Sequence, residues 1–315
     1  MINYRRATSG VLLSIVFLGA FSCLIIFSQP FLGDLLESGS EAALMEGVLG
    51  AMQNNALVGS INNGQDIVVE SSFEILPINA RAALSLRSDL YNVDEIIFEK
   101  DKELIFPIAS LTKLMTAVVV LDKYNLSDII TVGEVADLQS PMMQDVKLGD
   151  SMPVESFLEL MLVRSSNKAA YSLAEQIEEQ NFVSAMNKKA KAIGLKKTFF
   201  VDPSGLSDQN VSSAEDLVKL SKYILRNYPR IAKISSQKKV NIPGLGEVEN
   251  TDELLSEIPG IVFSKTGFTL AADGCLLLVT RDSGSANYLI NIVLGAGDRF
   301  SEMKKLIRCS EVICE

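Results

Sequence analysis

The spacing of apolar residues predicts strands at both ends of a long region and helices between them. Ala82–Ser88 and Glu95–Glu99 are short runs of strand-forming residues and predict two strands joined by a turn. Ile261–Lys265, Cys275–Thr280 and Tyr288–Leu294 predict three further strands towards the C-terminus. The five predicted strands therefore fall into two groups that lie far apart in sequence.

Helical spacing dominates between these groups, from about Leu111 to Tyr228, and returns in Arg299–Arg308. Strands first, helices in the middle and strands last are typical of an α/β fold of the α+β kind. We therefore predict an antiparallel sheet that is built from both ends of the region and flanked by helices. An all-helical lobe should lie beside this sheet.

The N-terminal residues follow a different pattern. Residues 7–33 carry no charge and residues 11–27 are almost wholly apolar, close to the roughly 20 residues that cross a bilayer. Arg5 and Arg6 precede this run and Asp34 follows it, which predicts a cytoplasmic N-terminus. A cleaved signal peptide is the alternative, although its apolar region is usually about 7 to 15 residues long and ends in an A-x-A site.

Four segments follow from this pattern. We predict a cytoplasmic tail over residues 1–8, a transmembrane anchor over 9–28, a stalk over 29–77 and a catalytic domain over 78–312. Within the stalk, residues 41–52 have helical spacing before asparagine and glycine interrupt it.

The amino-acid composition excludes several kinds of catalytic and binding site. The 315 residues include no histidine, which excludes Ser-His-Asp catalysis and histidine-ligated metal sites. A net charge of −10 argues against a nucleic-acid partner, which would require a basic surface. None of the four cysteines forms a CxxC pair. Cys309 and Cys314 could close a small disulfide loop or stay unpaired.

One S-x-x-K sequence stands out by its context. Ser110 and Lys113 lead into a run of apolar residues at helical spacing, so both should lie on one side at the start of a buried helix. An apolar setting would lower the pKa of the lysine, and the neutral amine could then take the serine proton. The alternative is that Ser110 only caps the helix and Lys113 points to solvent. The same pattern recurs at Ser165/Lys168, Ser235/Lys238, Ser236/Lys239 and Ser301/Lys304.

Two later segments could line the same cleft. Ser165 and Asn167 follow an apolar helix and precede another, so they could offer a hydroxyl and an amide, or cap the second helix. Lys265, Thr266 and Gly267 end an apolar strand, where a cation and a hydroxyl could hold a peptide carboxylate. An ordinary strand end is the alternative for these three residues.

Longer stretches around these motifs resemble the low-molecular-mass penicillin-binding proteins, the serine D-Ala-D-Ala carboxypeptidases of peptidase family S11. The resemblance covers roughly Ala80 to Arg308. It rests on FPIASLTKLMTA at 106–117, LMLVRSSNKAAYSLAE at 160–175, FVDPSGLSDQNVSSAEDLVKL at 200–220 and NTDELLSEIPGIVFSKTGFTLAADGCLLLV at 250–279. It implies a β-lactamase/transpeptidase-like fold.

The resemblance also implies a role for each motif residue. Ser110 would be the acylated nucleophile and Lys113 its general base, and Ser165 would shuttle protons. Asn167 would position the substrate amide, and Lys265 and Thr266 would bind the substrate carboxylate. Gly267 would allow the substrate backbone to approach closely, and the backbone N–H groups of Ser110 and Phe268 would form the oxyanion hole. Arg299 would also contact the carboxylate. The chain departs from the family pattern at Lys168, where an acidic or small residue is usual, and at Asp252, where asparagine is usual.

The implied activity is removal of the terminal D-alanine from peptidoglycan stem peptides through an acyl-enzyme. The alternatives are a D,D-endopeptidase that cuts crosslinks, a class A-like β-lactamase, and a non-catalytic protein that binds the wall or senses β-lactams. The implied partners are peptidoglycan stem peptides that end in D-Ala-D-Ala, β-lactams as covalent inhibitors and the membrane through the N-terminal helix. No metal or organic cofactor is implied. The location would be the bacterial cell membrane, with the catalytic domain outside the cytoplasm.

Overall fold

The chain divides into two units, Met1–Glu74 and Ile75–Glu315. The computed structural model describes residues 58–59, 69–70, 77–92, 94–139, 145–282 and 285–312. In the first unit, the short strands β1 (Val58–Gly59) and β2 (Val69–Glu70) pair antiparallel. The predicted anchor over 9–28, the tail before it and the predicted helix over 41–52 lie outside the described residues. Among the helices that are described, none has the length and apolar character needed to span a membrane.

Eleven strands and nine helices of the second unit are described. The strands are β3 (Ala82–Ser88), β4 (Glu95–Lys100), β5 (Phe106–Pro107), β6 (Ile129–Thr131), β7 (Ser151–Pro153), β8 (Val211–Ser212), β9 (Lys239–Ile242), β10 (Gly246–Glu249), β11 (Ile261–Thr269), β12 (Asp273–Arg281) and β13 (Tyr288–Ala296). The helices are α1 (Lys113–Lys123), α2 (Glu134–Asp137), α3 (Val154–Val163), α4 (Asn167–Glu175), α5 (Glu179–Ala192), α6 (Ala214–Asn227), α7 (Pro229–Ser235), α8 (Leu254–Glu257) and α9 (Arg299–Val312).

The central sheet joins the two predicted groups of strands. Its order is β11-β12-β13-β3-β4, and every neighbouring pair is antiparallel. The groups meet where β13 pairs with β3, with Tyr288 opposite Ser88 and Leu294 opposite Ala82. The predicted antiparallel sheet, flanked by helices and built from both ends of the region, is therefore confirmed.

Apolar side chains cover both faces of this sheet. Because side chains alternate along a strand, Leu277 and Val279 of β12 join the core on the side of the helical lobe, whereas Leu276 and Leu278 join Met303 of α9 on the other side. The all-apolar run in β12 follows from this burial on both faces. In α9, Cys309 is buried, and Cys314 lies outside the described residues, so the pairing of these two cysteines stays a prediction.

The prediction that the lobe beside the sheet is all-helical is wrong, because the lobe also contains short strands. Two short strands within it, β6 and β7, pair with Ile130 opposite Met152, and β5 pairs with β8 across more than a hundred residues. Strands of two or three residues are too short to show an alternating pattern, and they form only because tertiary contacts bring the partners together. The strands β9 and β10, of four residues each, were also absent from the prediction.

Strand β11 lies at the edge of the sheet and extends further than predicted. It continues past Lys265 to Thr269, because Gly267 still pairs with Cys275 and Phe268 with Gly274 of β12. Its other edge faces the helical lobe. The end of α7 reaches the first half of that edge, and the part from Lys265 onwards lies beside the segment around Ser110.

Candidate active site

Ser110 lies in a 3₁₀ turn, Ala109–Thr112, and α1 begins directly after it at Lys113. Ser110 therefore lies at the start of a buried helix, as predicted, and the first turn of that helix is a 3₁₀ turn. Ala109 has a φ of +46°, a conformation that a residue with a Cβ rarely adopts and that is common at functional sites. The tight turn places Ser110 Oγ 2.8 Å from Lys113 Nζ.

Lys113 is fully buried, and its side chain does not point to solvent. Besides the Ser110 hydroxyl, its Nζ lies 2.7 Å from Asn167 Oδ1 and 2.6 Å from the Ser204 carbonyl oxygen. Burial lowers the pKa of Lys113 well below its usual range, and the charge of Lys265 lowers it further, while Asp202 and Asp145 act in the opposite direction. Burial therefore favours the neutral form of the Lys113 amine over the charged form.

The three contacts of Lys113 suit a neutral amine that acts as a base. The oxygens of Asn167 and Ser204 can only accept hydrogen bonds, so they take the two N–H groups. The third contact, the Ser110 hydroxyl, accepts from Lys113 Nζ at 2.8 Å, and loss of that proton from the amine leaves a lone pair that faces Ser110 Oγ. This arrangement prepares proton transfer from serine to lysine before any substrate arrives.

The loop over residues 202–207 packs against the Ser110–Lys113 pair. The Asp202 carboxylate accepts hydrogen bonds from the backbone N–H groups of Ser204, Gly205 and Ser207 at 2.7 to 2.8 Å. Gly205 has a φ of +86°, and a Cβ there would lie only 1.9 Å from the Ala109 carbonyl oxygen. The loop therefore holds the Ser204 carbonyl against Lys113 and packs directly behind the nucleophile segment.

The second motif joins α3 to α4. Ser166, and not Ser165, caps α4, because its side chain accepts a hydrogen bond from the Ala169 N–H at 3.1 Å. Ser165 has a φ of +63°, which turns the chain between the two helices. The capping alternative thus applies to Ser166, and Ser165 and Asn167 both contact lysines of the other motifs.

The third motif supplies a second buried lysine. Lys265 is 2% exposed, and its Nζ lies 2.9 Å from Ser165 Oγ and 3.1 Å from the Thr266 carbonyl oxygen. Burial lowers the pKa of Lys265, Asp252 opposes this effect and Arg299 adds to it, so that the pKa lies at about 7. Lys265 therefore links the second and third motifs and can carry a positive charge in the cleft.

Gly267 lies against the nucleophile segment. A Cβ there would be 3.0 Å from the Ile108 carbonyl oxygen and 3.2 Å from the Ser110 backbone nitrogen. Strand β11 and the 3₁₀ turn therefore approach each other at the distance that glycine permits. Phe268, the next residue, has a side chain that is 57% exposed. The oxyanion hole formed by the N–H groups of Ser110 and Phe268 stays a prediction.

Arg299 begins α9, behind the edge strand. A Cβ on Gly274, which pairs with Phe268, would lie 3.1 Å from Arg299 Cβ. Its guanidinium carbon lies 4.5 Å from the centre of the Phe300 ring, and its charge lowers the pKa of Lys265. Arg299 therefore adds positive potential near the third motif, and a direct carboxylate contact stays a prediction.

The two departures from the family pattern are both buried. Lys168 is 4% exposed and its Nζ lies 2.8 Å from Asp137 Oδ1 and 3.2 Å from the Val146 carbonyl oxygen. Asp252 is 3% exposed and accepts hydrogen bonds from the Ser264 hydroxyl and, at 3.0 Å, from the Leu254 N–H. Each group is paired within the protein, so neither leaves an uncompensated charge beside the site.

Two contacts of the site were not anticipated from sequence. The Ser204 carbonyl is a backbone group, which no side-chain motif can reveal. The second is Thr251, whose Oγ1 lies 2.5 Å from Thr266 Oγ1. Its one sequence signal is its position three residues before Leu254, the first residue of α8, in a stretch that resembles the family. Across the described part of the chain, no cluster of three or more Cys, Asp or Glu side chains could hold a metal ion.

Comparison with known proteins places this geometry in context. Residues 74–298 match the profile of a family described as D-alanyl-D-alanine carboxypeptidase. The chain is 35% identical over 233 residues to the D-alanyl-D-alanine endopeptidase of Pseudomonas aeruginosa, an alignment that covers 70% of this chain and 74% of that protein. It is 29% identical to the D-alanyl-D-alanine carboxypeptidase DacF of Bacillus subtilis over 72% of this chain and 61% of that relative, less than two thirds of its length.

A solved structure shows the same fold. Penicillin-binding protein D2 from Listeria monocytogenes, in its ampicillin-bound form, superposes with a TM-score of 0.66 at 30% sequence identity. The superposition covers 74% of this chain and 98% of that one. The mixed fold of antiparallel sheet and helices is thus that of the penicillin-binding proteins.

Proposed function

Because this chain belongs to the D-alanyl-D-alanine carboxypeptidase family, peptidase family S11 of the low-molecular-mass penicillin-binding proteins, we propose that it is a serine D,D-peptidase that acts on peptidoglycan. Ser110 is the proposed nucleophile. The observation that carries the proposal is the fully buried amine of Lys113, 2.8 Å from the Ser110 hydroxyl and held by two carbonyl oxygens.

Acylation uses the three motifs together. Ser110 Oγ attacks the carbonyl carbon between the two D-residues while its proton passes to Lys113 Nζ. When the C–N bond breaks, the amine of the leaving group takes a proton from this lysine, and the Ser165 hydroxyl is the proposed relay. The product is an ester between Ser110 and the remaining peptide. Deacylation follows when water adds to the ester carbonyl and passes a proton to Lys113 Nζ. As the ester C–O bond breaks, Lys113 returns that proton to Ser110 Oγ, so the peptide acid leaves and the Ser110 hydroxyl is regenerated.

The substrate carboxylate has a proposed place beside this machinery. Lys265, Thr266 and Arg299 bring two cations and a hydroxyl to one end of the site. A peptide that pairs with the edge of β11 would run along the strand that carries these residues. A β-lactam, which bears a carboxylate next to its reactive carbonyl, would acylate Ser110 in the same position.

The leaving group separates two candidate reactions. A carboxypeptidase releases free D-alanine, as we predict from the sequence. An endopeptidase releases the amine of a crosslinked stem peptide with the same nucleophile and base. The endopeptidase reaction is the second candidate, and it is supported by the 35% identity to a protein with that name, against 34% and 29% to two relatives named as carboxypeptidases. The membrane anchor over 9–28, the cytoplasmic N-terminus and the domain bounds stay predictions from the sequence.

The first test is intact mass of the full chain after incubation with benzylpenicillin. A stable penicilloyl adduct is expected on the wild-type protein and on the Ser236→Ala control, which alters another S-x-x-K serine, but not on Ser110→Ala. Rapid hydrolysis of the drug without an adduct would instead indicate a β-lactamase. Neither adduct nor hydrolysis would overturn the proposal in favour of a non-catalytic protein.

A second test separates the candidate reactions. Purified pentapeptide monomers and crosslinked dimers are incubated with the wild-type chain and with Ser110→Ala, and the products are identified by mass. Loss of one D-alanine from the monomer supports the carboxypeptidase, and conversion of dimer to monomers supports the endopeptidase. Turnover that persists in Ser110→Ala would contradict the assigned nucleophile.

A further inference from the structure

Thr251 lies outside the three motifs and contacts two of the elements that carry them. Its backbone N–H donates to the carbonyl oxygen of Val163, the last residue of α3, at 3.1 Å. Its hydroxyl oxygen lies 2.5 Å from the hydroxyl oxygen of Thr266. One residue therefore joins the end of the helix that precedes the second motif to the threonine of the third.

The residues on either side of Thr251 are anchored, which leaves its hydroxyl little freedom. The Asn250 side-chain amide donates to the carbonyl oxygens of Ser235 and Gln237 at 3.0 and 2.9 Å. Asp252 is buried and bound to Ser264 of β11. Threonine is also branched at Cβ, which restricts the rotation of its side chain. The backbone thus determines where the Thr251 hydroxyl lies.

A pair of hydroxyls has one hydrogen bond between its members and one O–H left over. When Thr251 donates to Thr266 Oγ1, the Thr266 O–H remains for a third partner. Thr266 is 4% exposed, with Lys265 beside it and the charge of Arg299 acting on the same motif. An anion attracted by these cations selects the arrangement in which the remaining O–H points towards it. Without the Thr251 hydroxyl, Thr266 Oγ1 loses this donor, so the protein no longer supports the O–H direction that the anion selects.

We propose that Thr251 is a positioning residue for the terminal carboxylate of D,D-peptides and β-lactams, because its hydroxyl orients that of Thr266. The inference rests on the proposed function, and it adds a residue that acts through Thr266 and not on the reacting atoms. It also limits the effect to ligands that carry a carboxylate. The reaction of Ser110 with a ligand that has no negative charge should not depend on Thr251.

The test compares two ligands on full-length Thr251→Val, which keeps the shape of threonine and loses the hydroxyl. The second-order rate of acylation by benzylpenicillin is expected to fall about threefold to tenfold, the range for one hydrogen bond. Acylation by benzylpenicillin methyl ester, which has no negative charge, is expected to change less than about twofold. Thr251→Ser, which retains the hydroxyl, should restore the ratio of the two rates to the wild-type value.

Control measurements distinguish failure of the Thr251 inference from unfolding of the variant and from failure of the proposed function. Thr131→Val is the control for loss of a threonine hydroxyl elsewhere. It removes Thr131 Oγ1, which lies 2.8 Å from Ser151 Oγ in an exposed hydroxyl pair, and it should leave both rates unchanged. Because both ligands are compared on the same sample, an unfolded fraction cancels from the ratio. An unchanged ratio in Thr251→Val, or equal losses with both ligands, would overturn the inference. A wild-type chain that neither ligand acylates would instead overturn the proposed function.

Discussion

At the residue scale, the site contains two buried lysines with different tasks. Burial is the largest cause of the lowered pKa in each case, but their surroundings differ. Lys113 contacts only neutral groups and feels the charge of Lys265, so it is kept as a base. Lys265 feels the carboxylate of Asp252, which raises its pKa and offsets part of the effect of burial and of Arg299. One chain thus holds two buried lysines with lowered pKa values in the same cleft.

The pKa of Lys265, about 7, predicts a pH dependence that only anionic ligands should show. Below that pH the side chain is an ammonium that attracts a carboxylate, and as the pH rises through about 7 the charge is lost. The ratio of acylation rates for benzylpenicillin and its methyl ester should therefore fall between pH 6 and pH 9. The protonation of Lys113 affects both ligands and cancels from this ratio.

Lys265→Arg provides the matched variant for this titration. A guanidinium stays charged across that range, so the fall in the ratio should disappear even if the overall rate drops. The assignment to Lys265 would be refuted if the arginine variant showed the same fall as the wild-type chain.

At the element scale, a loop and a strand both pack against the nucleophile segment. Gly205 packs behind Ala109, and Gly267 of β11 packs beside the Ser110 backbone nitrogen. Neither position has room for a Cβ without movement of the other backbone. The distance between Ser110 and Lys113 is therefore set by the packing of three separate elements and not by the 3₁₀ turn alone.

Gly205→Ala tests this packing. The φ of +86° costs about 1 kcal/mol for a residue with a Cβ, and the contact of 1.9 Å with the Ala109 carbonyl must be relieved by a backbone shift. We expect a larger loss in the free energy of unfolding than φ alone explains, and acylation that is slower by on the order of tenfold or more. Urea denaturation and adduct formation measure the two effects.

Gly244→Ala is the matched control, since Gly244 has a φ of +84° and nothing within 4 Å of the added Cβ. It should show the cost of the positive φ alone and normal acylation. Equal stability losses and equal acylation rates in the two variants would show that contact with Ala109 is unimportant.

At the scale of the whole molecule, strands from both ends of the catalytic unit share one sheet, and cores lie on both of its faces. Strand β13 pairs with β12 on one side and with β3 on the other, so it joins the two groups. Ile292 of β13 is fully buried in the core shared with the helical lobe. The sheet and the lobe should therefore unfold together, and the active site should be lost in the same transition.

Ile292→Ala tests this cooperativity. The lost side chain should lower the free energy of unfolding by about 2 to 5 kcal/mol, because it leaves a cavity in a packed core. Circular dichroism and penicillin acylation, both followed against urea, should shift to the same lower midpoint. Ile96→Ala on β4, where the side chain is 47% exposed, should shift neither by much. Separate midpoints for the two signals would show that the lobes unfold independently.

The local pattern of the sequence is enough to determine the main elements and part of the site. Short runs of apolar and strand-forming residues located the five sheet strands to within a few residues at their ends, because strands that are buried on both faces form nearly continuous apolar runs. Ser110 and Lys113 could be paired from sequence, because three residues along a helical turn always bring side chains together. The further motifs were tied to them by resemblance to a family, and the structure brings Asn167 and Lys265 to the same place.

Only the tertiary structure decided the contacts that join distant parts of the chain. It selected Ser166 over Ser165 as the helix cap, and it brought the Ser204 carbonyl to Lys113 across 91 residues. It also placed Thr251 against Thr266 and buried Lys168 beside Asp137. A local pattern reports which face of an element is buried but not which partner lies against it. Those partners depend on how helices and strands pack, and this packing sets the burial that lowers the pKa of both lysines.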